Sequence, residues 1–136
     1  MSDDLLRSIL TNTKRIAVVG ASNKPDRPSY EVMRFLISQG YEVTPVNPGL
    51  AGQSILGQAV VARLEEAGPL EMVDIFRNSA DAAQPVADAI RLGAKTVWMQ
   101  LGVVNEAAAA SARAVGLNVV MNHCPAIEIP RLGLLK

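Results

Sequence analysis

Gly20-Ala21-Ser22-Asn23 directly follows the apolar run Ile16-Ala17-Val18-Val19, and an amphipathic segment opens shortly afterwards at Pro28-Ser29-Tyr30. A strand, a turn of small residues and a helix start, in that order, let backbone amides and a helix dipole approach a phosphate. Lys24, Arg27 and Arg77 add positive charge that suits a multiply phosphorylated ligand. The turn lacks the second and third glycines of the dinucleotide fingerprint G-x-G-x-x-G. Asn47-Pro48 stands where a dinucleotide site places Asp or Glu to receive ribose hydroxyls, which counts against NAD and leaves room for a phosphorylated ribose.

To meet in space, these residues need a particular kind of scaffold. Ile16 to Val19 reads as a buried strand, and Val32, Phe35, Leu36 and Gln39 follow helical spacing up to a stop at Gly40. Tyr41 to Val46 is the second strand, ended by Asn47-Pro48-Gly49. The same grammar recurs with a strand at Met72 to Phe76, a helix at Val86 to Leu92 closed by Gly93, and a strand at Thr96 to Met99. Asn105 then caps an alanine-rich helix from Glu106 to Val115, and Asn118 to Met121 is the last strand. Alternating short apolar strands and capped helices predict a doubly wound, mainly parallel α/β sheet with helices on both faces. From Leu50 to Leu70 the pattern is open: Ala59 to Leu64 suits a strand or a helix, and Gly68-Pro69 is a turn.

In such a sheet, ligands gather at the carboxyl ends of the strands. Those ends bring together Gly20 to Arg27, Asn47-Pro48, Phe76-Arg77-Asn78, Gln100-Leu101-Gly102 and Asn122-His123-Cys124. Each has a plainer alternative. Gly20 serves a tight turn, Phe76 fills core, Asn47-Pro48 only ends a strand, and Gln100-Leu101-Gly102 shapes a loop. His123 reads as a structural hydrogen-bonder, because the sequence offers no second histidine and no evident orienting acid. Cys124 reads as buried or loop-structural in preference to nucleophilic.

The 136 residues suit one compact domain, and 13 basic against 13 acidic residues leave no broad field for nucleic acid. The single cysteine excludes an intramolecular disulfide and a cysteine-rich zinc site, and suits a reducing compartment. No apolar run approaches the ~20 residues of a membrane-spanning helix, so a cytoplasmic protein without membrane association is the expectation.

Val18-Val19-Gly20-Ala21-Ser22, Arg27-Pro28-Ser29, Gly40-Tyr41, Val46-Asn47-Pro48, Val73-Asp74-Ile75-Phe76-Arg77, Gly93-Ala94-Lys95 and Gln100-Leu101-Gly102 together carry a resemblance covering about Lys14 to Glu128. In this order they resemble the small single-domain CoA-binding proteins, similar to the CoA-binding domain of the succinyl-CoA synthetase alpha subunit. The resemblance implies a Rossmann-like sheet that holds coenzyme A through the first turn, the Asn-Pro turn and the Phe-Arg loop. Together with the strand ends it gives a site of Gly20, Ala21, Ser22, Asn23, Lys24, Arg27, Ser29, Asn47, Pro48, Phe76, Arg77 and Asn78; Cys124 joins it by its place after the last strand, where a pantetheine thiol that reached it would form a mixed disulfide under oxidation. Family members often carry Asp-Arg-Cys where this chain has Asn122-His123-Cys124, so no role of that arginine passes to His123. CoA or acyl-CoA binding without catalysis is the leading expectation, for sensing, storage or presentation. The alternatives are an NAD(P)-dependent oxidoreductase and a protein-interaction domain regulated by CoA.

Overall fold

The computed structural model describes residues 1–136. Five helices, α1 (Asp3–Asn12), α2 (Pro28–Ser38), α3 (Ala83–Arg91), α4 (Glu106–Ala114) and α5 (Pro125–Arg131), accompany seven strands. The strands are β1 (Arg15–Val19), β2 (Glu42–Val46), β3 (Ser54–Ile55), β4 (Gln58–Ala59), β5 (Met72–Ile75), β6 (Thr96–Met99) and β7 (Asn118–Met121). The main sheet runs β2-β1-β5-β6-β7, all parallel, and β3 and β4 form a separate small hairpin. This is the doubly wound Rossmann-like architecture expected from the alternation of strands and helices.

Side chains alternate across each strand, so the unbroken apolar runs divide between two cores. Ile16, Val18, Met72, Trp98 and Val120 pack under α1, α2 and α5. Ala17, Val19, Val73, Ile75, Val97, Met99 and Val119 pack under α3 and α4, where Ala108, Ala109 and Ala112 let α4 lie close to the sheet. Asn105 caps α4 as expected, its side chain accepting from the Ala108 amide at 3.0 Å. No helix is long and apolar enough to cross a membrane.

Three features differ from the sequence pattern. Helices α1 and α5 lie where the strand-and-helix pattern of the sequence places no helix. Helix α1 places Leu6, Ile9 and Leu10 in the core and is capped by Ser2, while α5 carries prolines at both ends of a seven-residue segment. Ala59 to Leu64 is neither a strand nor a helix throughout. Strand β4 ends at Ala59, Val61 makes one parallel bridge to Val46, and a 3-10 turn begins at Leu64. The hairpin turn puts Leu56 and Gly57 both at positive φ, 51° and 79°. Paired left-handed residues match the twist of a two-residue hairpin, and leucine is not a residue that signals one.

Asp74 breaks the apolar rule in the central strand β5. It is fully buried between its register partners Val18 and Trp98, and neither carboxyl oxygen has a hydrogen-bond partner. Burial pushes its carboxyl well above the ordinary carboxylate range. With the folded value raised above the unfolded one of about 4, the folded state takes up a proton between the two, and stability falls as the pH rises through that window. Asp74→Asn is expected to melt higher than the parent protein at pH 7. The difference should close near pH 3, as measured by paired thermal melts across that range; a constant difference would contradict a protonated Asp74.

Candidate functional site

The order of the main sheet reverses at β1. Strand β2 lies on one side of it and the chain returns to place β5 on the other, which is where α/β sheets open a crevice. The backbone at that point is forced. Gly20 has φ +84°, and a Cβ placed on it would stand 2.2 Å from the Phe76 carbonyl oxygen. Only glycine allows the turn after β1 to lie so close to the end of β5.

Around this contact the loops are tied to one another. The amide of Gly20 donates to the Val46 carbonyl at 3.1 Å, and Asn47 Nδ2 donates to the Ala21 carbonyl at 2.8 Å. Asn47 Oδ1 accepts from the Gly49 amide at 2.8 Å, so the side chain holds two turns together. Ser29 Oγ, buried at the start of α2, accepts from the Ser22 amide at 3.0 Å, and Ser22 Oγ accepts from the Lys24 amide at 3.1 Å.

A cleft of about 610 Å³ opens over this turn. Its walls include Gly20, Ala21, Ser22, Asn23, Lys24, Arg27, Ser29, Asn47, Phe76, Arg77 and Asn78, all expected from the sequence. The amides of Asn23 and Ser29 donate to no protein acceptor, and Arg27 at the N-cap of α2 gives the helix no side-chain hydrogen bond. The positive end of an eleven-residue helix is thus left open toward the cleft. Lys24, Arg27 and Arg77 take part in none of the nine ion pairs of the chain. Asp26 lies in the same loop, but no Asp or Glu lines the cleft. Leu50, Phe76, Leu101 and Val103 give it an apolar side. These groups fit a ligand with several phosphates and a less polar arm.

Two expected residues stand elsewhere. Pro48 borders a neighbouring cleft of about 710 Å³ that shares Gly20, Asn47, Gly49 and Arg77 with the first and adds Arg63, Glu65 and Asp88. Cys124 lines neither cleft. It is 92% buried, at the N-cap of α5 and within the core under α1 and α2, because the chain turns inward there to begin a helix. The direct route from a pantetheine arm to its thiol is therefore removed.

His123 does have an orienting acid, contrary to the sequence reading. Nδ1 lies 3.0 Å from Glu128 Oε1, and Glu128 Oε2 accepts from Arg131 Nε at 2.6 Å. Arg131 in turn grips both oxygens of Asp3 at 3.2 and 2.8 Å. Burial pushes the Glu128 carboxyl up, but its hydrogen bonds with Arg131 and His123 outweigh that and hold it below the usual range. The chain of contacts fastens α5 to α1, away from both clefts. A helix unseen in the sequence also hid the i, i+3 pairing of Glu128 with Arg131. Leu50 and Val103 were the cleft residues without a sequence signal, since isolated apolar loop residues look like ordinary packing.

Residues 14–130 match the family model described as a CoA binding domain. The uncharacterized protein YneT of Bacillus subtilis (strain 168) is 38% identical over 120 residues, 88% of this chain and 87% of that protein. A crystal structure of Prb, the PH1109 protein redesigned for binding, superposes with a TM-score of 0.94 at 39% identity, covering 100% of this chain and 95% of that one. A hypothetical protein from Pyrococcus horikoshii OT3 gives a TM-score of 0.92 at 38% identity, with 97% of this chain and 92% of that one covered.

Gly20→Ala should lower stability by about 2–4 kcal/mol, combining a disfavoured φ with a collision against backbone. Chemical denaturation measures it, and a loss under about 0.5 kcal/mol, the size of an ordinary surface change, would refute the steric account. Cys124 should react with a small thiol reagent only as the protein unfolds; rapid labelling of the native protein would contradict its placement.

Proposed function

The chain belongs to the family of CoA binding domains, and from that premise we propose that it binds coenzyme A or an acyl-CoA in the cleft above Gly20, as a stand-alone binding domain without catalytic activity. One observation carries the reading. Three cations outside every ion pair and the open N-terminus of α2 line one cleft whose wall holds no carboxylate, Arg77 also bordering the neighbouring cleft, in a chain whose total charge is zero. Coenzyme A carries a diphosphate and a 3′-phosphate, and charge-assisted bonds from Arg and Lys with backbone amides suit both.

The non-catalytic reading rests on what faces the ligand. The one histidine and the one cysteine lie outside both clefts, and no nucleophile stands beside a base in either. Such a domain would sense, store or present its ligand. An NAD(P)-dependent oxidoreductase fits less well, since Asn47, at the place of the ribose-reading acid, spends its side chain on Ala21 and Gly49. A protein-interaction domain regulated by CoA uses the same cleft and differs only in what a partner does with the bound form.

Coenzyme A should raise the melting temperature, as a ligand present at 100 times its dissociation constant adds about 2.7 kcal/mol to stability. Dephospho-CoA and ADP should do less and NAD least; a larger shift with NAD than with CoA would overturn the assignment. Arg77→Ala should weaken CoA binding by about 1.5–3 kcal/mol, the worth of a charge-assisted hydrogen bond, whereas Arg113→Ala on the exposed face of α4 should leave it unchanged. Calorimetry decides this, and equal affinities for the two folded variants would remove Arg77 from the site.

A further inference from the structure

Three buried side-chain oxygens have no hydrogen-bond partner, and all belong to two residues, Asp74 Oδ1 and Oδ2 and Gln100 Oε1. They share one face of the sheet. Asp74 pairs in register with Trp98, and Gln100 lies two residues beyond Trp98 along the same chain, so its side chain projects on the same side. The Gln100 amide donates to the Ile75 carbonyl at 3.2 Å, extending the ladder between β5 and β6 past their last pair. This makes Gln100 the diagonal neighbour of Asp74, one step nearer the mouth of the sheet.

Buried oxygens without donors are costly, and two adjacent acceptor groups ask for a proton. Trp98 Nε1 does not supply it, because it donates to the His123 carbonyl at 2.9 Å. The neutral form of Asp74, which burial favours, carries one. Gln100 also lines the cleft, beside Phe76, Leu101 and Val103. Its Nε2 bonds to no protein acceptor and, unlike Oε1, is not sealed from the cleft.

We propose that Asp74, as a carboxylic acid, donates to Gln100 Oε1 through a small side-chain rotation, and thereby holds the Gln100 amide with Nε2 toward the cleft to read an amide carbonyl of the pantetheine arm. The inference rests on the CoA-binding reading of this cleft. Lys24, Arg27 and Arg77 account for phosphates, and the Gln100 wall is where the cleft turns apolar, as an aliphatic arm bearing amides requires. Asp74 is a positioning residue: it touches no ligand and acts through Gln100. An amide free to flip would present oxygen to a carbonyl as readily as nitrogen, so a fixed donor serves specificity.

Calorimetry with CoA and with adenosine 3′,5′-bisphosphate, which lacks the pantetheine arm, tests it. Gln100→Met should weaken CoA binding about threefold to tenfold, the loss of one neutral hydrogen bond, and leave the bisphosphate unchanged. Asp74→Val should lose CoA affinity by a similar factor while melting higher than the parent. Asp74→Asn, which keeps an N–H donor at that place, should restore the affinity. The double variant Gln100→Met with Asp74→Val should lose no more than either alone. Stability rising while affinity falls is a pattern that a purely structural role would not give, and Asp74→Ala takes the place of Asp74→Val should that variant not fold. The inference is overturned if Gln100→Met binds CoA like the parent, if the bisphosphate is weakened as much as CoA, or if Asp74→Val and Asp74→Asn bind CoA equally. Failure of the parent protein to bind CoA would instead overturn the reading of the cleft itself.

Discussion

The approach of the turn after β1 to the carbonyl of Phe76 sets the geometry of everything around the cleft. A side chain at position 20 would have to occupy the space of a backbone oxygen 2.2 Å away, so the turn closes in this form only with glycine, held at φ +84°. That closure brings the start of α2 over the ends of β1 and β5, and it sets Arg77 beside the amides of the first turn. Asn47 and Ser29 then fix the neighbouring loops by hydrogen bonds, at 2.8 Å to the Ala21 carbonyl and 3.0 Å from the Ser22 amide. Their side chains brace the site, and the ligand-facing capacity falls to the open amides and the cations.

Charge follows the same division of labour. Six of the 13 basic residues, Arg7, Arg15, Arg34, Arg63, Arg91 and Arg131, are engaged in ion pairs on the surface. Lys24, Arg27 and Arg77 are not, and all three line one cleft without a carboxylate in its lining, Arg77 standing where it meets the neighbouring cleft. A neutral chain thus concentrates a local positive field where a helix dipole adds to it, an arrangement that suits phosphate groups.

Much of this arrangement was legible in the sequence for physical reasons. The apolar run Ile16 to Val19 closed by Gly20, the strand stopped by Asn47-Pro48 and the segment Thr96 to Met99 before Gln100-Leu101-Gly102 mark parallel strands and the loops at their carboxyl ends. Eleven of the thirteen named site residues line the first cleft, because chain order and parallel strands leave those loops little choice of place. Pro48 and Cys124 departed from it since a residue's loop does not fix the direction of its side chain. The hairpin at Leu56-Gly57 was hidden by a leucine in a left-handed conformation, and α5 by its prolines. Asp74 was visible only as part of a motif; that its carboxyl oxygens and Gln100 Oε1 lie buried without partners is a fact of packing that no spacing discloses.

The proposed role turns on whether this cleft selects coenzyme A over other nucleotides. Native mass spectrometry of the protein with equimolar CoA and NAD measures that choice in one spectrum. One CoA per chain is expected, with little NAD retained and the CoA adduct lost in Arg77→Ala. An NAD adduct that outcompetes CoA, or CoA retained equally by the folded Arg77→Ala variant, would show that the cleft does not select CoA through these cations.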